Sequence, residues 1–468
     1  MTLSRLPLAA ALLLSASPLA ADLYRVTSGA DSGDGSLRAA LLAAASGDVP
    51  ATILIDTPDE IALSSGLVYG GTAPLAIHGG GARLVLSANE TVLSVSQGAD
   101  LTVTGLEIAG PGGFSIAARG DLTGPAGKGI FVDLREDQEG TVLLSLTDVI
   151  LRDVAGHGVH VSDCSLADAC GGGSGGAGEG SAAGIRVVME RVTVAGVGQG
   201  RFDADGLRVD ERGPGSVEWL ARDVTFTGTG ADGVELDEGQ AGDVIVTTVN
   251  ARFAGNGDYC DPVLLAGFLP AEAEGEFDAG AMAAADIPAA ITGSPDDGCF
   301  EREVDLYDDG SVEAYEFAID TDDGFDVDEA GEGSIMASMI ATRIDGNFDE
   351  GLDFDEEDGG DILLVLQGFD GAGNTDDAVK MSEAGAGSVL GTVIGARASD
   401  NGGVGLVFEE EDGGDVLVQM AQVATSANDG GELGVEIVQE DEGTGRVSLI
   451  GVEAGDGIEV EGVEMAGL

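Results

Sequence analysis

The stretch "NFDEGLDFDEEDGGDILL", residues 347–364, combines an alternating apolar pattern with a dense run of acidic residues. Eight of its eighteen residues are Asp or Glu. Leu352 and Phe354 stand two positions apart, as do Ile362 and Leu364, which is the spacing of strands that bury one face. The stretch therefore predicts two short strands, joined by a glycine turn and surrounded by negative charge.

The same pattern recurs with a period of 27 residues. Equivalent positions are Gly206, Gly233, Gly324, Gly351, Ala378 and Gly405. Apolar residues follow each of them at fixed distances, which predicts a solenoid in which every coil stacks on the one before. Helical repeats are excluded, because the spacing inside each copy is two and glycine is frequent.

Asparagine recurs at the same 27-residue step, just before the glycine turn, at Asn347, Asn374, Asn401 and Asn428. Neighbouring strands of a parallel stack lie about 4.8 Å apart, so equivalent amides would hydrogen-bond along the axis. We expect an asparagine ladder. The alternative is that Asn only suits the turn conformation.

These turns and strands, of the form "N…DG-apolar-x-apolar", resemble those of right-handed parallel β-helix proteins. The N-terminal stretches "YRVTSGADSGDGSLRAALLAA" and "TILIDTPDEIALSSGLV" look like the opening coils of bacterial extracellular members of the pectate-lyase-like superfamily. The resemblance implies an all-β, right-handed parallel β-helix with a short N-terminal capping helix, for which Ser36 is the expected N-cap. It implies little about function, since such folds host lyases, hydrolases, adhesins and structural proteins.

Residues 1–21, MTLSRLPLAAALLLSASPLAA, have one early Arg5, an apolar run and a small-residue end, which is the layout of a secretory signal peptide. No Cys follows the apolar run, and no later stretch is both long and apolar enough to cross a bilayer. We therefore expect a secreted or periplasmic protein without a membrane span.

The rest of the chain is predicted to fall into four parts. They are an N-terminal cap and first coil at 22–60, a β-helix with a disulfide loop near 164–183 at 61–256, a disulfide-tied insertion at 257–302, and an acidic β-helix with 27-residue repeats at 303–468. In an exported chain, the expected disulfides are Cys164 with Cys170 and Cys260 with Cys299. Zinc is the weaker alternative, because neither pair has the spacing of a zinc knuckle.

The formal net charge of −65 narrows the range of partners. Nucleic acid, anionic lipid and polyanionic sugars carry the same sign of charge and are poor direct partners. The alternative meaning of the charge is solubility in salty water. Trp219 is the sole tryptophan among 468 residues, so few aromatic platforms are present for stacking on sugar rings.

Acidic residues also keep the 27-residue register. They are Glu329, Glu356, Glu383 and Glu410, with Asp328, Asp355 and Glu409 one position earlier. Stacking would bring equivalent carboxylates about 5 Å apart, where each pair repels by about 0.9 kcal/mol even in water. Splaying into solvent, raised pKa values or shared cations would relieve this repulsion. Oxygen-only ligands suit Ca²⁺, so we predict calcium along these columns; solvated carboxylates are the alternative.

A second calcium candidate is "DLYDDGSVEAYE", residues 305–316. It puts Asp305, Asp309 and Glu316 at the first, fifth and twelfth positions of an EF-hand loop. Tyr307 occupies the third position, where an oxygen ligand is expected, and no flanking helices are predicted. A strand–turn–strand is therefore the favoured interpretation of this stretch.

Two short motifs resemble parts of a polygalacturonase site: "TDDGFD" at 321–326 and "GHG" at 156–158. Their order is the reverse of that family's, and "TDDGFD" also matches the repeat itself. His157, His160 and Asp163 are a candidate metal trio, but an alternating strand would send the two histidines to opposite faces, so no shared ion is expected.

Lysine is rare in the acidic repeats, where Lys380 aligns with Asp326 and Asp353. We expect it to relieve charge inside that column. No catalytic residue is assigned by these patterns.

The sequence predicts a secreted or periplasmic, non-catalytic β-helix scaffold, stabilised by Ca²⁺ through stacked carboxylates and contacting a cell-surface or extracellular component. The alternative is a polysaccharide lyase, hydrolase or epimerase acting on an extracellular glycan. An anionic glycan would then need calcium to bridge it to this acidic surface.

Overall fold

A computed structural model describes residues 21–57, 60–115, 126–164, 180–278, 280–288, 297–307, 309–440 and 443–466. Within these ranges the strands form a 20-stranded parallel sheet, a 12-stranded parallel sheet and a three-stranded antiparallel sheet, here named sheets one, two and three. Sheets one and two wrap around one apolar core as a right-handed parallel β-helix, as predicted. No helix in the described ranges is long and apolar enough to cross a membrane.

The N-terminal half contains one helix and fifteen strands within the described ranges. They are β1 (Asp22–Val26), α1 (Leu37–Ala44), β2 (Ala51–Ile55), β3 (Ile61–Leu63), β4 (Leu67–Tyr69), β5 (Leu75–Leu86), β6 (Leu93–Val95), β7 (Leu101–Ala109), β8 (Ile130–Asp133), β9 (Glu139–Arg152), β10 (Val159–Ser162), β11 (Ala182–Ala195), β12 (Leu207–Glu211), β13 (Val217–Thr227), β14 (Val234–Glu238) and β15 (Val244–Ala254).

The C-terminal half follows with α2 (Pro262–Leu265), β16 (Glu274–Glu276), β17 (Phe300–Leu306), β18 (Val312–Ile319), β19 (Phe325–Glu329), β20 (Ile335–Ile340), β21 (Arg343–Asp345), β22 (Leu352–Glu356), β23 (Ile362–Gln367), β24 (Asp370–Ala372), β25 (Lys380–Glu383), β26 (Val389–Ile394), β27 (Arg397–Ser399), β28 (Leu406–Glu410), β29 (Val416–Ala421), β30 (Ala424–Ser426), β31 (Val435–Gln439), β32 (Gly445–Ile450), β33 (Glu453–Ala454), β34 (Ile458–Glu461) and β35 (Val463–Ala466).

From β19 to β33, each coil contributes one strand to sheet two and two strands to sheet one. In β22, Leu352 and Phe354 are buried in the core, and Asp353 and Asp355 lie on the outer face of sheet two. β23 and β24 then meet at Gly368, whose φ of 69° turns the chain. In the N-terminal half this corner lies within one long bent strand, as at Asp223 (φ 55°) in β13.

The predicted asparagine ladder is confirmed. The Nδ2 atom of each Asn donates to the Oδ1 atom of the next, at 2.9 Å for Asn347–Asn374, 3.0 Å for Asn374–Asn401 and 2.7 Å for Asn401–Asn428. The ladder begins earlier than predicted, at Asn256, whose Nδ2 lies 3.1 Å from Oδ1 of Asn347. An amide both donates and accepts, so identical side chains satisfy one another along the stack.

The N-terminal cap is also confirmed. Oγ of Ser36 accepts the backbone N–H of Ala39 at 3.2 Å, and α1 buries Leu37 and Leu41 over the first coil.

The insertion that interrupts the coils leaves after β15 and contains sheet three, in which β16 and β17 flank β18. The predicted disulfide Cys260–Cys299 is present, with Cα atoms 5.3 Å apart. The predicted end of the insertion, at Arg302, falls inside β17, and the antiparallel pairing continues to Ile319 before the coils resume at β19. The two boundaries differ because the strands of an antiparallel hairpin show the same alternation of apolar and polar residues as the strands of a coil. The predicted pair Cys164–Cys170 and the signal peptide involve residues outside the described ranges.

The ladder predicts a specific loss of stability. Asn374→Ala leaves Nδ2 and the backbone N–H of Asn347 buried without their shared acceptor, Oδ1 of Asn374. We expect a cost of about 2 to 4 kcal/mol in the free energy of unfolding, because each orphaned buried group costs about 1 to 3 kcal/mol. Thermal and urea unfolding would measure it. Gln367→Ala, an exposed change in the same coil, is the matched control, and an equal effect of both variants would contradict the ladder's role.

Candidate functional site

In-register pairing arranges the residues around sheet two into four columns. The turn column, just before each strand, contains Lys128, His157, Asp205, Asp232, Asp323, Glu350 and Asp377. The first outer column contains Phe131, His160, Arg208, Glu235, Asp326, Asp353 and Lys380. The second outer column contains Asp133, Ser162, Asp210, Asp237, Asp328, Asp355, Ser382 and Glu409. The inner column contains Glu211, Glu238, Glu329, Glu356, Glu383, Glu410 and Gln439.

The turn column and the two outer columns together form a charged face on sheet two. Its N-terminal end carries cations and imidazoles, and its middle carries a run of carboxylates. Arg208 marks the boundary between the two regions.

At the N-terminal end, Lys128, His160 and Asp210 form a hydrogen-bonded relay. Nζ of Lys128 lies 2.6 Å from Nδ1 of His160, and Nε2 of His160 lies 2.5 Å from Oδ2 of Asp210. An ammonium group only donates, so Nδ1 of His160 accepts and Nε2 carries the ring proton that Asp210 receives. Burial alone would raise the pKa of Asp210, but Arg208 and His160 lower it well below its ordinary value.

His157 lies beside this relay, with its ring centroid 4.6 Å from that of His160. The prediction that the two histidines point to opposite faces is wrong, because His157 precedes β10 and belongs to the turn, where strand alternation does not apply. Its Nδ1 accepts the backbone N–H of Asp205 at 3.0 Å. Burial, with the nearby Lys128 cation, lowers the pKa of both histidines to about 3, so both are neutral at physiological pH.

Asp163, the third member of the candidate metal trio, lies elsewhere. It follows β10 at the level of the inner column, where its carboxylate accepts the backbone N–H groups of Ser181 at 2.6 Å and Arg212 at 2.8 Å. The trio therefore does not converge on one site.

Arg208 is the centre of a buried ion network and is only 5% exposed. Its guanidinium lies 2.9 Å from Asp203, 2.8 Å from Asp210 and 2.8 Å from Asp237, and it also pairs with Glu235. These contacts occupy four of its five donors, so Arg208 organises the carboxylates around it.

Beyond Arg208 the carboxylates outnumber the nearby cations. Within the described residues, four groups of three carboxylates have ligand atoms within 4.8 Å of one another: Asp203 with Asp205 and Glu235; Asp232 with Glu235 and Asp326; Glu235 with Asp237 and Asp328; and Asp323 with Asp349 and Glu350. Burial and mutual repulsion raise the pKa of Asp328 to about 6, of Asp237 to about 7 and of Asp355 to about 8. When these carboxylates are ionised they repel one another strongly, and binding of cations or protons would relieve that repulsion.

The group of Asp323, Asp349 and Glu350 has the fewest nearby cations to offset its negative charge. Nζ of Lys380 lies 3.8 Å from Glu350 and 2.9 Å from Asp353, which is the charge relief predicted for this lysine. Oδ1 of Asp323 is buried and has no hydrogen-bond partner among the described residues. Burial and the neighbouring carboxylates raise the pKa of Glu350 to about 10.

The insertion borders this face along the turn column. The backbone N–H of Tyr259 donates to Gly230 at 2.9 Å, and Gln199 hydrogen-bonds Asp258. Asp320, at the return from sheet three, has its pKa raised to about 7 by burial and by neighbours that include Glu301 and Asp203. The charged face and the insertion thus enclose a common acidic environment.

The predicted calcium residues divide among three places. Asp328, Asp355 and Glu409 lie on the charged face, and Glu329, Glu356, Glu383 and Glu410 lie in the inner column, away from solvent. Asp305, Asp309 and Glu316 lie in the hairpin of β17 and β18, where the carboxylate of Asp309 accepts from the N–H and Oγ of Ser311. Only Asp328 belongs to one of the carboxylate groups found within the described residues.

Sequence reasoning missed Lys128, Asp210 and Arg208, and it considered His160 only as a metal candidate. A signal for them exists, since Gly129 and Gly158 occupy the same position before β8 and β10 as Gly206 does before β12. Extending the repeat to these glycines places His160 and Arg208 where later coils carry acids. The "GHG" motif and "TDDGFD" do share the turn column, through His157 and Asp323, but Asp205 and Asp232 lie between them.

Fold and site together define a parallel β-helix protein with a buried, charged face on one sheet. Neither a protein-family model nor a curated protein sequence matches the chain. Among solved structures, the A-module of mannuronan C-5 epimerase AlgE4 from Azotobacter vinelandii is similar at 12% identity and a TM-score of 0.39, over 95% of this chain and 97% of that chain.

The A-module of mannuronan C-5 epimerase AlgE6 from the same organism is similar at 11% identity and a TM-score of 0.38, over 95% of this chain and 99% of that one. The periplasmic alginate epimerase AlgG is similar at 9% identity and a TM-score of 0.34, over 90% of this chain and 78% of that one. At these identities and TM-scores the likeness does not decide function, which depends on the residues of this chain.

The relay predicts that His157 and His160 stay neutral in mildly acidic solution. Their lowered pKa values mean that the stability from burying neutral rings is present above the unfolded pKa of about 6.5 and is lost as pH falls towards about 3. Imidazole ¹⁵N NMR should show both rings uncharged between about pH 8 and about pH 5. His78→Gln removes the third histidine and simplifies assignment. Protonation of either ring in that interval would contradict the described environment.

Proposed function

We propose that this protein is an extracytoplasmic enzyme that modifies uronate-containing polysaccharides, as a lyase or a C5 epimerase, with Ca²⁺ as its cofactor. The observation that supports this most is the Lys128–His160–Asp210 relay, which lies at the edge of a carboxylate-rich face. Export is proposed from the predicted signal peptide.

Both reactions begin with removal of the C5 proton of a uronate, which lies next to the sugar's carboxylate. A base must accept that proton, and the negative charge that develops on the carboxylate must be neutralised. Arg208 is committed to protein carboxylates, so it does not supply that neutralisation. A Ca²⁺ ion held by Asp203, Asp205 and Glu235, of which Asp205 contacts His157 beside the relay, would supply that neutralisation.

Lys128 is the proposed base. In the active form Lys128 has lost one proton to solvent, and its neutral amine stays hydrogen-bonded to Nδ1 of His160, 2.6 Å away, while Nε2 of the neutral ring donates to Asp210 at 2.5 Å. The amine then accepts the C5 proton. A proton delivered by water to the opposite face of C5 completes an epimerisation. In a lyase reaction the C5 electron pair forms the C4–C5 double bond, the C4–O bond breaks with its pair on the leaving oxygen, and that oxygen takes a proton from water.

The residues present fit a calcium ion. The ligands of the Asp323–Asp349–Glu350 group are all oxygens, and the buried Oδ1 of Asp323 lacks a partner within the described part of the chain. Asp323 lies four coils from Lys128 in the turn column, about 19 Å along the axis at about 4.8 Å per coil, so an ion at this group would hold a different uronate of the same polymer. An oxygen-only group with excess negative charge favours a hard divalent cation.

Activity is tested by incubating the purified protein with alginate, pectate and neutral glycans in D₂O, with Ca²⁺ or with EDTA. We expect deuterium at C5 of a uronate, by NMR, or a new double bond, by ultraviolet absorbance, only with Ca²⁺ present. Lys128→Gln and His160→Gln should each lower the rate by about 100-fold or more, since general acid–base groups contribute at least that much. His78→Gln is the matched control and should leave the rate unchanged.

Absence of exchange and of cleavage on every uronate would overturn the enzymatic proposal and favour the predicted non-catalytic scaffold. Turnover that survives Lys128→Gln would overturn the assignment of the base but not the activity.

Calcium binding is tested separately from activity. We expect Ca²⁺ to give binding heat by calorimetry and to raise the melting temperature above its value in EDTA. At a hundredfold excess over Kd, binding should add about 2.7 kcal/mol to the free energy of unfolding. The pair of changes Asp323→Asn and Glu350→Gln should abolish most of this gain, whereas Asp358→Asn, an exposed change, should not. An unchanged melting temperature with no binding heat would contradict the calcium proposal.

A further inference from the structure

The inner column is a line of acidic side chains inside the β-helix. Its glutamates are the last residues of their strands, on the same side as the apolar residues two and four positions earlier, as Glu356 is with Phe354 and Leu352. Each glutamate of the column is at most 1% exposed. Successive members are paired in register, at the strand spacing of about 4.8 Å.

One carboxyl oxygen of each glutamate is fixed by the turn that follows. Oε1 accepts the backbone N–H four residues on, at 2.8 Å for Glu356, 2.7 Å for Glu383 and 2.7 Å for Glu410. The donor is a glycine for a steric reason, since a Cβ on Gly387 would lie 1.4 Å from the carbonyl oxygen of Gly360. The recurring glutamate and glycine are therefore two halves of one turn.

The second oxygen has no such donor. Oε2 of Glu211, Glu329, Glu356 and Glu383 is buried without a hydrogen-bond donor among the described residues. What faces it is the next carboxyl group, since Glu329 lies within hydrogen-bonding reach of Glu238 and Glu356, and Glu383 lies within reach of Glu356. Two ionised carboxylates only accept, so such a contact is a hydrogen bond only when one of the two holds a proton.

One position of the column shows the contact that a protonated glutamic acid would make. At the C-terminal end of the column the glutamate is replaced by Gln439, whose Nε2 donates to Oε2 of Glu410. A glutamine has the shape of a protonated glutamic acid and supplies the donor permanently. A neutral donor is thus already present at one position of this column.

We propose that the inner glutamates form a proton-sharing ladder, in which protonated and ionised carboxyl groups alternate along the axis, so that alkaline solution loosens the coils. The ladder is the acidic counterpart of the asparagine ladder. Calcium, predicted for these residues from sequence, has no role in it.

The pH dependence has a definite sign. The groups that act on the column within the described residues are carboxyls: Asp163 at the N-terminal end and the neighbouring glutamates on each coil, with neutral Gln439 at the other end. Burial first, and then these neighbours, raise the pKa of Glu383 to about 8 and of Glu329 to about 10. The contribution to stability is complete below the unfolded pKa of about 4.3 and is lost as pH rises through these folded values.

The test is the isosteric change Glu383→Gln, measured as melting temperature against pH in EDTA. We expect the variant to match the parent in mild acid and to exceed it by about 2 to 4 °C or more at alkaline pH, because a permanent donor replaces a lost proton. Glu383→Ala should lower the melting temperature at every pH, since it orphans the N–H of Gly387. Glu357→Gln, an exposed change that removes the same charge, should not alter the pH profile.

The reciprocal change Gln439→Glu keeps the proposal falsifiable if one variant folds poorly. It extends the run of carboxyls, so its melting temperature should fall below the parent's in alkali and recover in mild acid. Two results would overturn the ladder: a loss in Glu383→Gln equal to that in Glu383→Ala at all pH values, or reversal of the alkaline loss by added Ca²⁺.

Discussion

In-register stacking of coils is the constraint on which the rest of this structure depends. Because Glu356 pairs with Glu383 and Asn374 with Asn401, a residue of these repeating columns has a copy of itself as its neighbour along the axis. Apolar and amide side chains gain from such a neighbour, since they pack together or hydrogen-bond in both directions. Carboxylates lose, so every acidic column must recruit a proton or a cation.

The two sides of sheet two meet that requirement differently. The inner column is closed to solvent, and the groups facing it are other carboxyls, which favours shared protons. The charged face has Arg208 and Lys380 as local cations, and its remaining carboxylates form compact oxygen groups that suit a divalent ion. The Lys128–His160–Asp210 relay is placed where the acidic columns give way to imidazole and ammonium groups. Proton transfer chemistry is therefore concentrated at one end of a face that attracts cations.

The fold and the ladder of Asn347 to Asn428 could be predicted because a 27-residue period makes coil stacking visible in the sequence. The charged face was predicted only in part, since Asp355 and Glu356 were treated as members of one set. Alternation separates them: Glu356 is two residues beyond the buried Phe354 and points inward with it. Lys128 and its contact with His160 were not predicted because their coils differ from 27 residues in length, so the period no longer aligns them, and the contact depends on register alone.

The central claim is that stacked, buried carboxyl groups retain protons in the folded protein. Potentiometric titration of the folded and the guanidinium-unfolded protein in EDTA measures this directly, as the difference in bound protons at neutral pH. The account predicts that the folded chain binds several more protons than the unfolded chain. Equal proton binding in the two states would contradict it.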